Sequence, residues 1–148
     1  MITEETALTL GRELLANHFP EIKVGRVKFE FVKKQDYYMA VAILHHYYIK
    51  IDKSALKFSE KAFIGCLAHE LAHIVIASKR NFLRKLIGLF IQSFGETKEE
   101  RSADLIVVNK GLGEELLQFH AEHNKKYKAY KPNEGLTKKE IKNLLQNP

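Results

Sequence analysis

Ala62-Phe-Ile-Gly-Cys-Leu-Ala-His-Glu-Leu-Ala-His-Ile-Val-Ile-Ala77 is a nearly unbroken apolar run that carries His69, Glu70 and His73 in its middle. Its length and apolar character predict a buried helix. Residues four apart share one helix face, so His69 and His73 direct two imidazoles at one point, with Glu70 beside them. A surface helix would carry polar residues at more of the flanking positions Ile64, Leu67, Ala68, Leu71, Ala72, Ile74, Val75 and Ile76. Chance placement of His-Glu-x-x-His on an ordinary exposed helix conflicts with those flanks. Ionisable groups inside such a helix are costly unless something pairs with them. A metal ion is such a partner, and two histidines with an acid at this spacing outline a hydrolytic zinc site.

A catalytic zinc takes three protein ligands and keeps a fourth position open. The best third ligand is Glu100, in Glu100-Arg-Ser-Ala-Asp104. Glu100, Ala103, Asp104, Val107 and Val108 share one face of a predicted helix, and most of that face is apolar. Two acids turned toward a core need a purpose. Glu100 is read as a metal ligand, and Asp104, one turn later, as the acceptor for the far nitrogen of a ligand histidine. Thr97-Lys-Glu-Glu100 also fits a helix capping box, and Glu96 and Glu99 are rivals for the ligand position.

Outward from these two helices the chain predicts an α+β domain. Thr3 caps a helix over Thr3–His18 that Pro20 stops. Val24–Val32, Tyr37–Leu44 and Tyr47–Ile51 are β-prone, with turns near Gln35-Asp36 and His45-His46. They predict a small antiparallel sheet of about three strands, mixed at its edge, packed on the His-Glu helix and the glutamate-bearing helix. Ser59 caps the His-Glu helix, which is expected to end near Ala77, with Ser78-Lys-Arg-Asn81 as a break. Phe82–Phe94 reads as a second, very apolar helix, Thr97–Lys110 as a third ended by Gly111, and Gly113–Asn124 as a fourth. Thr137 caps a short last helix to Gln146. Residues 1–148 read as one domain, with 131–148 as a flexible or inhibitory tail lying along the edge strand.

His69-Glu70-x-x-His73 followed by Glu100-x-x-x-Asp104 resembles the gluzincin zinc metallopeptidases, and in length the small single-domain minigluzincin-like proteins. The resemblance covers about Tyr47–Val108, and the apolar segment Asn81–Phe94 departs from it. It implies a Zn2+-dependent hydrolase that cuts peptide bonds, with zinc on His69, His73 and Glu100. Glu70 would be general base and then acid, and Asp104 would support a ligand histidine. It also implies an edge strand above the metal, reached through the β-segment Tyr47–Ile51, on which an extended peptide pairs. A second oxyanion donor would come from His120, His123, Tyr127 or Tyr130, each of which also reads as an ordinary packing residue.

The bulk composition narrows the remaining classes. The chain has 148 residues, 45% hydrophobic and 28% charged. A chain of this size buries roughly 70% of its extended surface, enough for one real core. The lone cysteine, Cys66, excludes an intramolecular disulfide framework and fits a reducing, cytoplasmic setting; a buried thiol is its plain reading. No secretory leader is expected, nor any run of the ~20 apolar residues that span a bilayer. The net charge of +6 gathers in Lys125–Lys131 and Lys138–Lys142, a solvated lysine-rich end without a nucleic-acid motif. Nucleic acid is therefore not the expected partner, and the partner that the resemblance implies is a peptide or protein substrate. Phe82–Phe94 leaves room for a homodimer or membrane-surface contact. The alternative functions are a latent or non-catalytic zinc-binding regulatory protein, and a docking module built on Phe82–Phe94.

Overall fold

The Thr3 hydroxyl accepts from the Thr6 N–H at 3.0 Å and starts α1 (Glu4–Asn17), which buries Ala7, Leu10, Leu14 and Leu15. The computed structural model describes residues 1–33, 37–43, 46–87, 96–123 and 135–147. After α1 a 3₁₀ turn at Val24–Arg26 takes the first residues of the expected strand and leaves Val24 exposed. The strands are β1 (Val27–Val32), β2 (Met39–Ile43) and β3 (Tyr47–Asp52).

The α+β class and the three strands follow the sequence reading, but the pairing differs in detail. The order is β1-β3-β2, with β3 antiparallel to β2 and parallel to β1. Only residues 44–46 separate β2 from β3, so these two pair as neighbours. β1 then takes the other side of β3 (Val27 opposite Tyr47, Val32 opposite Asp52). Among the described strands Tyr47–Asp52 is consequently central, and β1 and β2 are the outer two. Inward residues alternate along the strands, with Ile49, Ile51 and Met39 in the core and Phe29 and Phe31 packed against it.

α2 (Glu60–Ile87) is the axis of the molecule and packs against α1, β2, α3 and α4. Ser59 caps it as expected: its hydroxyl accepts from the Ala62 N–H at 3.2 Å. The Ser59 N–H and O–H donate in turn to the Glu122 carboxylate at 2.9 and 2.6 Å. The break expected at Ser78–Asn81 is absent, and the helix runs unbroken to Ile87. The four residues hold no proline or glycine, Lys and Arg are good helix formers, and the Ser78 hydroxyl donates back to the Val75 carbonyl at 2.8 Å. Ser78 and Lys79 are exposed, yet the helix does not end there. Phe82–Ile87 is thus a continuation of α2, and the rest of the apolar segment, 88–94, lies outside the described residues. Glu60–Lys79 is long and apolar enough to cross a membrane by length and composition, contrary to the sequence expectation; 56% of that window is buried inside the fold.

α3 (Glu96–Asn109) ends at Gly111, whose φ of 79° is the left-handed cap read from the sequence. α4 (Gly113–His123) crosses α2 at Gly65, where an added Cβ would overlap the Glu115 carbonyl. α5 (Lys138–Gln146) opens with a capping box between Thr137 and Glu140. It packs against α4 and α3, with Ile141 fully buried. The described part of the C-terminal segment is therefore seated on the helices rather than along an edge strand, as its sequence had suggested. Residues 131–134 of the expected tail lie outside the described residues.

Candidate metal centre

Helical spacing sets the geometry. His69 and His73 occupy successive turns of α2, while Glu100 and Asp104 occupy successive turns of α3. The two helices pack with these pairs facing each other. Around the pairs Leu67, Ala68, Leu71, Ala72, Ala103 and Val107 are completely buried. Apolar packing thus sets both helices side by side and brings the polar groups together.

His69 Nε2 lies 2.9 Å from Glu100 Oε2 and 3.1 Å from His73 Nε2, and His73 Nε2 lies 3.3 Å from Glu100 Oε1. The three side chains form the one grouping of metal-ligating residues among the described residues. Zinc bonds of about 2.0–2.1 Å in a tetrahedral site set neighbouring ligand atoms roughly 3.3 Å apart. The observed separations, measured to the two Glu100 oxygens in turn, are of that order.

The donor chemistry makes the same point. The Asp104 carboxylate can only accept, so His69 Nδ1, 2.8 Å from Asp104 Oδ1, carries the hydrogen. A neutral His69 therefore turns an Nε2 lone pair toward the Glu100 oxygens and the second imidazole. Lone pairs converging at 3 Å require a positive charge between them. The titration behaviour agrees. Burial disfavours a charged His69, yet its hydrogen bonds to Asp104 and Glu100 prevail and raise its pKa well above the ordinary value. Burial likewise opposes ionisation of Glu100, but the bonds from His69 and His73 hold its carboxyl far below the usual range. A proton and a divalent cation answer the same demand, and the residues present fit a cation.

Glu70 is half-buried beside this triangle. Burial pushes its pKa up and the neighbouring Glu100 adds to the rise, while the two imidazoles pull the other way; the result is a carboxylate more basic than usual. Asp104 is 1% exposed, and its second oxygen accepts from the Leu136 N–H at 2.7 Å.

No protein-family model, curated protein or solved structure matches this chain. Function must accordingly be read from the geometry of the centre.

His69, His73, Glu100, Glu70 and Asp104 all meet at one place. Of the rivals for the third ligand, Glu99 sits on the outer side of His73, with Oε1 3.6 Å from Nδ1. Of the proposed oxyanion donors, only the two histidines fall among the described residues. His120 is buried on α4 with Nε2 4.0 Å from Asp104 Oδ2, the oxygen that does not hold His69. His123 packs edge-on against Tyr38 and Phe119 at ring separations of 5.2 and 5.1 Å, and burial drives its pKa down to about 4. Tyr127, Tyr130 and His45 lie outside the described residues, and His46 packs against Tyr48 on the sheet. Cys66 is a core thiol, its pKa pushed well up by burial and then by the Glu70 charge. Sequence reading missed Leu136, a backbone donor with no side-chain signature, and His120 as a neighbour of Asp104.

Proposed function

We propose that this protein is a zinc-dependent metallopeptidase, with His69, His73 and Glu100 as metal ligands. The observation that carries the reading is the convergence of three lone-pair donors on one point with a raised-pKa carboxylate, Glu70, beside it. A zinc-type cation held by His69, His73 and Glu100 would supply Lewis acidity and a nucleophilic water at neutral pH. The Glu70 carboxylate would accept the proton released by an attacking water and return it to the departing amine nitrogen. Its upward-shifted pKa suits both halves of that exchange, since it must hold the proton between them. Asp104 fixes the His69 tautomer, keeping Nε2 free to bind metal. The surface for an extended peptide would be β2, an outermost strand of the described sheet that packs against α2, through strand addition.

The experiment pairs metal analysis with hydrolysis of a fluorogenic peptide library, in the wild type and Glu70→Gln. Both proteins are expected to hold one equivalent of zinc, with hydrolysis falling on the order of 100-fold or more in the variant. Equal hydrolysis by the two proteins would refute the assignment of Glu70. A wild type that binds zinc yet cleaves nothing would favour a zinc-binding regulatory protein instead.

A further inference from the structure

Asp104 is gripped from the side opposite the metal triangle. Its Oδ2 accepts from the Leu136 N–H, and Leu136 is itself buried. Gly135 lies so close to the same oxygen that an added Cβ would overlap Asp104 Oδ2. The chain at 135–136 is thus fitted to the carboxylate by its backbone alone. Outside this contact Arg101, the residue after Glu100, donates to the Gly135 carbonyl at 3.2 Å and to both Glu140 oxygens at 2.7 and 3.4 Å. Glu140 in turn accepts from the Thr137 N–H and hydroxyl, each at 2.8 Å. The buried Ile141 anchors the start of α5. From α3 outward the connections form one path: Arg101 to Gly135 and Glu140, Leu136 to Asp104, Asp104 to His69.

We propose that Gly135–Glu140 is a clamp of positioning residues that fixes the Asp104 carboxylate and, through it and His69, sets the cation affinity of the centre. The clamp rests on the metal-centre reading above. Its sense is opposite to that of a blocking tail, because here the C-terminal segment supports the site it touches. A carboxylate free to rotate would hold the His69 ring less firmly, and partners that orient a metal-ligating histidine contribute strongly to affinity.

Arg101 gives a test in which two explanations differ in sign. If it acted on the centre only through its charge, removing that charge would strengthen attraction for a divalent cation. If it acts through the clamp, removal weakens binding. Zn2+ affinity is measured on the full-length protein by competition with a chromogenic chelator. The wild type is compared with Arg101→Gln, Gly135→Ala and His73→Ala, and far-UV circular dichroism and thermal melting of each metal-free protein are recorded alongside. Arg101→Gln is expected to keep its fold, because the residue is half-exposed on the surface, and to lose affinity on the order of 3- to 10-fold. Gly135→Ala, which forces Asp104 to move, is expected to lose on the order of 10- to 100-fold. If Gly135→Ala fails to fold, Arg101→Gln decides alone. Affinity in Arg101→Gln equal to or tighter than wild type would overturn the clamp. That failure is distinct from failure of the metal centre, which would appear as a wild type that takes up no Zn2+ or as His73→Ala binding undiminished.

Discussion

Asp104→Asn is the most informative single change, because the structure determines what an isosteric amide must lose. Asp104 makes two short hydrogen bonds from a site that is 1% exposed: Oδ1 to His69 Nδ1 at 2.8 Å and Oδ2 to the Leu136 N–H at 2.7 Å. Both partners are donors. A carboxylate accepts both, whereas an amide has one oxygen and one NH2. If the amide oxygen keeps the Leu136 N–H, its NH2 faces His69 Nδ1 and forces the hydrogen onto Nε2, the atom needed for metal. If the amide turns over, two N–H groups confront each other in a buried place. The first arrangement keeps both hydrogen bonds only in the tautomer that cannot bind metal, and the second leaves buried donors unpaired, so metal binding in either costs one buried interaction, about 1–3 kcal/mol. At 1.4 kcal/mol per factor of ten that is roughly 5- to 150-fold in affinity, which brackets the 10- to 100-fold typical of such partners.

The expectation is therefore a zinc dissociation constant about 10- to 100-fold weaker in Asp104→Asn. Chelator competition at neutral pH measures it, on protein whose metal-free fold has been checked by circular dichroism. Hydrolysis at saturating zinc should recover in part, because Glu70 is untouched. An affinity unchanged within about twofold would mean that the His69 tautomer is not held by Asp104, and the reasoning from donor chemistry would fail.

Two further outcomes test the scaffold. Gly65→Ala should destabilise the protein by about 1–3 kcal/mol in urea unfolding, because its Cβ meets the Glu115 backbone where α2 and α4 cross; an unchanged midpoint would contradict that packing. Stability should also fall in mild acid. The folded His123 titrates near pH 4, below the ordinary ~6.5, so the unfolded chain binds the proton first. The loss should begin below about pH 6.5 and level off near pH 4, with no such contribution above that window. His123→Phe should flatten this part of the stability curve, and an identical curve in that variant would refute the assignment.

The features legible in the sequence are those set by local geometry. Thr3, Ser59 and Thr137 announce helix starts because a hydroxyl at a cap bonds within three residues, and Gly111 announces an end because a positive φ favours glycine. His69 with His73 and Glu100 with Asp104 are legible for a related reason: helical periodicity alone puts each pair on one face. What escaped the sequence depends on long-range arrangement. The order β1-β3-β2 is a choice among strand pairings of similar hydrophobic pattern. Polar residues at Ser78–Asn81 look like a helix end, yet α2 continues through them, because none is a proline or glycine that would break it. The contact of Leu136 with Asp104 spans 32 residues and uses a main-chain N–H, so no side-chain pattern records it.

Several carboxylates crowd one small region of this fold, and their surroundings divide the work among them. Asp104 is sealed from solvent and shared between two donors, so it suits orientation rather than proton transfer. Glu100 faces two imidazoles that hold it ionised far below the usual range, which suits a permanent ligand and disqualifies it as a base near neutral pH. Glu70 lies on the same helix as those imidazoles and feels their pull, yet burial and the neighbouring Glu100 charge win and its pKa rises. When environments drive neighbouring acids apart in this way, the one shifted toward neutrality is the one equipped to exchange a proton. The sequence offered Glu70 that role by spacing alone. In the metal-free fold, moving Glu70 away from Glu100 or into water would remove the burial and the like charge that raise its basicity.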